Sequence, residues 1–147
     1  EECIRLLESD PAVAIAYTDA LFMKGTEHRV QQTREYDFHE LPRRNLLCYC
    51  SLYRRCVWTE VGGYRENVRG YEDWDFWIAC GEKGYFGRRI PKPLFLYRVK
   101  QDGVYSEAVV RDQYLKAQIA LNHPALYSEE TLKTAMEVLK AEQQATS

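Results

Sequence analysis

The sequence predicts an α/β fold, α+β-like in the order of its elements, with a mixed sheet flanked by helices. Apolar runs of strand length alternate with stretches of helical period, which is typical of that class. The 147 residues are 46% hydrophobic and 29% charged, a composition that suits a globular domain with a core. The runs predicted as strands are residues 13–17, 47–53, 85–90 and 94–99.

The first third of the chain is predicted to begin with a helix and a buried strand. Residues 4–9 suit a short amphipathic helix, which ends before Pro11 because the residue preceding a proline is pushed to extended geometry. Residues 13–17 suit a buried strand, and Asp19 comes at its predicted end. Residues 21–24 are predicted as an edge strand, 26–37 as an irregular or strand-edged excursion, and 38–46 as a short helix or a loop.

Two helices are predicted on either side of a polar loop in the middle of the chain. Residues 54–61 form the first, and the pair Gly62-Gly63 suits a C-terminus with a residue in the left-handed region. Residues 72–81 form the second helix. Its predicted apolar stripe consists of Trp74, Trp77, Ile78 and Gly81, at spacings of three and four.

Two prolines are predicted to separate the last two strands, and a pair of helices is predicted to close the chain. Pro91 and Pro93 lack the N–H that a strand ladder needs, so the runs on either side of them are predicted as different strands. Residues 107–121 suit a helix with one apolar face. A last helix is predicted to start at Ser128, a residue type that often caps a helix.

Composition excludes some classes of protein. The net charge of -2 argues against a nucleic-acid-binding surface, which should be basic. No run of residues is long and apolar enough to cross a bilayer, and the five cysteines show no C-x-x-C zinc pattern. The chain opens on Glu1-Glu2-Cys3-Ile4 as if in the middle of a helix, so we expect it to be a piece of a longer protein.

Glu72 and Asp73 open the predicted helix 72–81, just behind Gly70 and ahead of two tryptophans. Acidic residues in a first turn stabilise a helix by about 0.3–1 kcal/mol through the macrodipole, so a plain helix start is one interpretation. The other interpretation is a reactive carboxylate at the mouth of a packed element. Both interpretations stay open on these residues alone.

Six short motifs follow one another along the chain. They are Tyr17-Thr18-Asp19, Ser51-Leu52-Tyr53-Arg54-Arg55, Val61-Gly62-Gly63-Tyr64-Arg65-Glu66, Glu72-Asp73-Trp74-Asp75-Phe76-Trp77, Gly84-Tyr85 and Pro93-Leu94-Phe95-Leu96-Tyr97-Arg98. In this order and spacing they resemble the C-terminal, acceptor-binding half of a family 2 glycosyltransferase of the GT-A fold. The resemblance covers about residues 1–105, which leaves 106–147 as a C-terminal helical extension.

The resemblance implies an inverting sugar transfer in cell-envelope polysaccharide synthesis. A hydroxyl of a carbohydrate or lipid-linked acceptor would attack the anomeric carbon of a nucleotide-sugar donor. A hydroxyl is a poor nucleophile, so a carboxylate must take its proton as the new bond forms. The Glu-Asp motif of the family assigns this role of general base to Asp73, with Glu72 beside it.

The same resemblance implies acceptor- or substrate-binding roles for further residues. Trp74 and Trp77 are expected to exclude water and to offer aromatic faces to a sugar. Asp19 would face the sugar or form a turn. Arg54 would reach an anionic group or remain a solvated surface charge.

The end of the last strand departs from the family. Arg98 completes the Tyr-Arg motif, but Lys100 stands where the family often has a histidine. A lysine could contact a phosphate as a point charge, whereas its charged form cannot ligate a metal.

For the full-length enzyme the resemblance implies Mg²⁺ or Mn²⁺, which would neutralise the leaving diphosphate. The family holds the ion on an Asp-x-Asp motif upstream of this half, so its ligands are expected outside this chain and none are predicted here. Asp73-Trp74-Asp75 has the letters of that motif, but residues two apart on a helix point to nearly opposite sides. Asp75 is therefore predicted as a solvent-side or helix N-terminal charge. The histidines His28, His39 and His123 are predicted to be structural or at the surface.

The resulting prediction is a fragment of an inverting glycosyltransferase that is inactive alone, because its nucleotide-binding half is missing. The alternatives are a non-catalytic carbohydrate-binding or interaction module of the same fold, and an unrelated α+β enzyme with an accidental Glu-Asp pair. The resemblance implies a cytoplasmic location, with any membrane association through parts of the parent outside this chain. A truncated strand edge would lead to self-association.

Overall fold

The structure, a computed structural model, describes residues 1–99 and 104–145. These residues divide into two compact units. The first comprises Glu1–Gly63 and the chain from Phe76 to residue 99, and the second comprises Tyr64–Asp75 and the described residues from 104 onwards. The sequence prediction divides the chain at residue 105. It does not group Tyr64–Asp75 with the C-terminal helices, whereas the structure does.

A mixed sheet of four strands forms the centre of the first unit, within the described ranges, and confirms the α/β class. The central strand is β1 (Ile15–Lys24), whose first six residues are all buried. The strands β2 (Glu27–Gln31) and β3 (Leu52–Tyr53) pair with β1 in antiparallel fashion. On the other side, β4 (Gly87–Arg98) pairs with β1 in parallel.

The extents of the predicted strands need correction. The predicted strands 13–17 and 21–24 are replaced by one continuous strand, β1, which begins at Ile15, and a hairpin at Gly25 adds β2 within the predicted irregular or strand-edged excursion. The predicted strand 47–53 shrinks to β3, because the backbone N–H and the hydroxyl of Ser51 both donate to the carbonyl of Cys48 and close a turn there. Residues 38–46 form turns without a helix.

The prediction that prolines separate two strands is wrong. Pro91 and Pro93 both lie inside β4, which runs without interruption to Arg98. Among the described residues β4 pairs only with β1, and an edge strand tolerates a missing donor. The register between the two strands shifts on either side of Asp19, which absorbs the irregularity.

Three α-helices lie between residues 1 and 82, and the first of them contacts β1. The first, α1 (Glu2–Ser9), packs Leu7 against Val13 and Ala16 of the sheet region. The second, α2 (Arg55–Val61), ends as predicted at Gly62, whose φ of 91° lies in the left-handed region. The third, α3 (Glu72–Glu82), is buried continuously from residue 74 to residue 80 rather than along one stripe. A helix that is buried on all sides belongs in a core. The predicted apolar stripe therefore covers too little of the helix surface.

Besides the first turn of α3, the described residues of the second unit form three α-helices: α4 (Val104–Val110), α5 (Asp112–Asn122) and α6 (Glu129–Ala145). The predicted helix 107–121 is interrupted between α4 and α5. The start of α6 is confirmed, since the backbone N–H of Thr131 donates to Ser128 Oγ at 3.2 Å. The contact between α5 and α6 is made by the small residues Ala117, Ala120 and Ala135. A search of the described helices for one long and apolar enough to cross a membrane finds none.

Candidate functional site

Glu72 and Asp73 occupy the first turn of α3, the position predicted for them. A single turn of 3-10 helix at Glu66–Val68 precedes them, and Gly70, with a φ of 101°, directs the chain into the helix. The backbone N–H of Gly70 donates to Glu72 Oε2. Both acidic side chains are half-buried. Glu72 therefore stabilises the turn, and Asp73 lies beside it on a fixed backbone.

Asp75 is buried, with 1% of its side chain exposed, and three side chains contact its carboxylate. Arg65 Nη1 lies 3.0 Å from Oδ2, Asn122 Nδ2 donates to Oδ1 at 2.7 Å, and His123 Nε2 lies 3.1 Å from Oδ1. Burial alone would raise the pKa of Asp75, but the hydrogen bonds from His123 and Asn122 and the charge of Arg65 outweigh it and lower the pKa. The predicted solvent-side position is wrong, whereas the position in the first helical turn is confirmed.

The two aspartates of the sequence Asp73-Trp74-Asp75 have different surroundings. Asp73 is half-buried, whereas Asp75 is enclosed and paired with a cation. Within residues 1–99 and 104–145, no group of three or more His, Cys, Asp or Glu side chains is placed to hold a metal ion. We therefore assign no metal ligands in this part of the chain.

Asp19 lies inside β1 and not at a strand end. Its carboxylate pairs with Arg89 at 2.8 Å and accepts hydrogen bonds from the backbone N–H and the hydroxyl of Thr33, both at 2.9 Å. Burial on its own would raise the pKa of Asp19, but Thr33 and Arg89 outweigh burial and lower the pKa. The turn interpretation is wrong, because the strand continues to Lys24. Contact with a sugar would have to displace Arg89 or Thr33.

Trp74 and Trp77 are core residues, with 5% and 0% of their surfaces exposed. The ring of Trp77 packs against Tyr53 and Phe76, with ring centroids 5.7 and 5.1 Å apart. Rings that are buried in this way present no face to a ligand. The prediction that these indoles offer aromatic faces to a sugar is therefore contradicted.

Arg54 has a structural role that neither predicted interpretation included. Its Nε donates to the carbonyl of Val13 at 2.9 Å, and its Nη2 donates to the carbonyls of Leu7 and Asp10. These bonds hold the end of α1 and the following connection against the N-terminus of α2. The guanidinium is thus a clamp on the backbone rather than a solvated charge.

Arg98 and Lys100 are the other two residues with predicted roles. Arg98 is exposed on the final residue of β4, opposite Met23 in the register. Lys100 lies outside the described residues, so the prediction for it stays as it was. Of the predicted site residues, Glu72, Asp73 and Trp74 belong to the second unit, and Asp19, Arg54, Trp77 and Arg98 belong to the first.

An open cavity in the first unit has no counterpart in the sequence predictions. Its volume is about 810 Å³, and it lies along the connection between β2 and β3. Charged and aromatic side chains line it together, among them Arg34, Glu35, Tyr36 and Phe38. Such a lining suits a polar ligand with an apolar face.

Sequence reasoning did not single out the partners of the two buried aspartates. Arg89 and Asn122 belong to none of the six motifs, Arg65 lies in the motif of residues 61–66 without an assigned role, and His123 was assigned only a structural or surface role. Asn122 and His123 lie 47 and 48 positions from Asp75, and Arg89 lies 70 positions from Asp19. Arg65 and Thr33 lie 10 and 14 positions from their aspartates, so no local periodicity connects any of these pairs. The available signal was weaker, namely an aspartate in an otherwise apolar run, which needs a partner if it is buried.

Comparison with known proteins finds no protein-family model and no curated protein that matches the chain. The class that the fold defines is an α/β domain with a mixed sheet and a helical unit at its C-terminal end. Any assignment of function therefore rests on the residues and their geometry.

Proposed function

We propose that this chain is the acceptor-binding half of an inverting glycosyltransferase of the GT-A type, with Asp73 as the general base. The observation that carries the proposal is the place of Asp73, a half-buried carboxylate in the first turn of α3, shortly after the left-handed turn at Gly70. Glu72 accepts a hydrogen bond from the backbone that enters the helix, and Asp75 is buried in an ion pair, so the backbone that carries Asp73 is held on both sides. The order of the six motifs supports the same assignment.

The chemistry assigned to Asp73 is removal of a proton. The acceptor hydroxyl forms a bond to the anomeric carbon, the bond from that carbon to the diphosphate breaks, and the diphosphate leaves with the electron pair. The hydroxyl proton passes to the carboxylate of Asp73. A general base must be ionised when the substrate arrives, and the N-terminus of a helix favours a negative charge.

The donor side of the reaction would come from another part of the complete protein. The nucleotide-binding half and the residues that hold Mg²⁺ or Mn²⁺ would lie there, and the reaction would take place in the cytoplasm. A transition state that extends over both halves is stabilised only when both are present. We therefore expect this chain alone to be inactive.

The test is a sugar-nucleotide transfer assay on the complete protein, with the Asp73→Asn variant alongside. An amide has nearly the shape of the carboxylate but cannot accept the proton, so we expect kcat to fall by about 10²- to 10⁴-fold. The matched control is Asp10→Asn, which makes the same chemical change at another half-buried aspartate, one that pairs with Arg88 in the first unit. We expect the control to retain the activity of the unaltered protein.

Unchanged transfer by Asp73→Asn would remove Asp73 from the mechanism. Absence of transfer from the complete protein across a panel of nucleotide sugars would contradict the enzyme assignment. Binding of an immobilised glycan in that second case would favour the alternative function, a non-catalytic carbohydrate-binding module.

A further inference from the structure

The helix α5 is connected to the chain around Glu72 and Asp73 by a series of polar contacts, all within the second unit. The hydroxyl of Tyr71 donates to Asp112 Oδ1 at 2.7 Å. Asn67 Nδ2 donates to Gln118 Oε1 at 3.1 Å and to Asn122 Oδ1 at 3.0 Å. We refer to these contacts, together with those that Asn122 and His123 make to Asp75, as the α5 contacts.

The α5 contacts lie on both sides of the acidic pair in the sequence. Asn67 and Tyr71 precede Glu72 and Asp73, and Asp75 follows them. Asn122 joins the two sides, because its side chain bonds to Asn67 and to Asp75 at once. A turn that is held at both ends has little freedom to move its middle residues.

The helix that carries these contacts is itself packed in the second unit and held by side-chain contacts at both ends. Ala117 and Ala120 of α5 pack against Ala135 of α6, and small residues allow two helices to approach closely. At the N-terminal end of α5, Asp112 is held by Lys116 at 2.8 Å as well as by Tyr71. At the other end, His123 is fully buried against Asp75. The contacts are therefore anchored on an element with its own core.

We infer that the C-terminal helices position Asp73 for catalysis, with α5 holding the turn that carries it. Asp73 is the residue that touches the substrate, and Tyr71, Asn122 and Asp112 are positioning residues that act through it. This inference rests on the proposed function for its catalytic part. Its structural part, that α5 restrains the turn, can be measured without any substrate.

The test uses two variants that remove single contacts, Tyr71→Phe and Asn122→Ala, made in the complete protein. The control is Tyr85→Phe, which deletes a hydroxyl that donates to Glu60 in the first unit. Hydrogen exchange is followed at the amides of Gly70, Tyr71 and Asp75, which all donate hydrogen bonds in this turn. We expect exchange at these amides to be about three- to tenfold faster in the two variants and unchanged in the control.

The second readout is the separation of kcat from KM in sugar transfer. A misplaced base slows the chemical step without weakening the donor, which would bind elsewhere. We therefore expect kcat to fall by about tenfold to a hundredfold, with the donor KM within about twofold of the original. A variant that fails to fold is recognised separately, because its amides exchange faster throughout the chain and its activity falls as well.

The outcomes separate the two proposals. Exchange that does not change at these amides overturns the restraint by α5, whatever the activity. Faster exchange together with an unchanged kcat overturns the positioning of Asp73 and leaves α5 as a structural support alone. Faster exchange in a complete protein that transfers no sugar overturns the proposed function, whereas faster exchange with the expected fall in kcat supports both.

Discussion

Two buried aspartates, one in each unit, are held by similar sets of partners. Asp19 has Arg89 and two groups of Thr33, and Asp75 has Arg65 and two further side chains. A buried carboxylate without partners would be strongly destabilising, so each set of partners is needed for its unit to fold. A salt bridge of this kind is not proof of net stabilisation, but removal of one partner leaves an unpaired charge inside.

The stability of the protein should therefore depend on pH in the acidic range. The pKa values of both Asp19 and Asp75 are lowered in the folded state, because hydrogen bonds and cations outweigh the effect of burial. The unfolded state then binds more protons, so the free energy of unfolding rises with pH. This stabilisation is fully present above the ordinary aspartate pKa of about 3.9 and is lost as pH falls through the lowered values.

The measurement is urea unfolding at a series of pH values from about 7 down to 2, with Asp19→Asn as the comparison. Each pKa unit of difference between the folded and unfolded states corresponds to about 1.4 kcal/mol, so the loss is measurable. The variant is expected to be less stable at neutral pH and to show a smaller loss of stability on acidification. An equal loss in both proteins would exclude Asp19 as a source of the pH dependence.

At the scale of the element, α3 shows a conflict between helix propensity and packing. Gly81 lies inside this helix, where alanine is ordinarily favoured by about 1 kcal/mol. A Cβ at this position would lie only 2.2 Å from the ring of Phe38, so the glycine is required by the close approach of that ring. Packing therefore decides the residue type here, against the preference of the helix.

We accordingly expect Gly81→Ala to destabilise the protein by about 1–3 kcal/mol, as overpacking usually does. Replacement of the ring in the double variant Gly81→Ala/Phe38→Leu should recover part of the loss, since it removes the atoms that the new methyl group meets. Thermal or urea unfolding of the three proteins tests this. Stabilisation by Gly81→Ala alone would mean that the ring moves aside at little cost.

Local rules predicted the helices of this chain better than its sheet. The end of α2 at Gly62 and the start of α6 at Ser128 follow from residues within one turn of each boundary, and both are confirmed. The continuation of β4 through Pro91 and Pro93 depends on whether a second strand pairs on its other side, which no local pattern reveals. The burial of Asp75 depends on His123 in the same way, because the two are distant in the sequence.

The candidate site shows the same difference between features that local rules predict and features that distant contacts decide. The position of Glu72 and Asp73 in a first helical turn was predictable, since acidic residues favour that place. The burial of Trp77 was not, because a tryptophan with helical spacing suits both a core and a ligand platform. Only the surrounding rings of Tyr53 and Phe76 decide between them.

At the scale of the whole molecule, the outer edge of the sheet is the feature that bears on association. β4 pairs with one strand only in the described part of the chain, and its side chains Leu94 and Leu96 are 50% and 52% exposed. An edge with exposed apolar residues is a template for pairing with another chain. We therefore expect the average mass in solution to rise with protein concentration.

Sedimentation velocity over a range of concentrations measures this association, with Leu96→Lys as the variant. A lysine on an edge strand opposes pairing by charge repulsion, so the variant should remain monomeric at concentrations where the original chain associates. The control is Val110→Lys, which places the same charge at a residue that is 87% exposed in the second unit. A strictly monomeric original chain would rule out association through this edge.

The parallel pairing of β1 with β4 also determines when the sheet can form during synthesis. Ile15 is opposite Gly87 in the register, so the growing chain presents β1 long before its partner leaves the ribosome. Until then β1 can pair, among its described partners, only with β2 and with the two residues of β3, and a two-stranded hairpin is marginally stable on its own. The most buried of the described strands thus emerges before its partner strands and is covered late, so a nascent chain at this stage depends more on chaperones than the finished protein does.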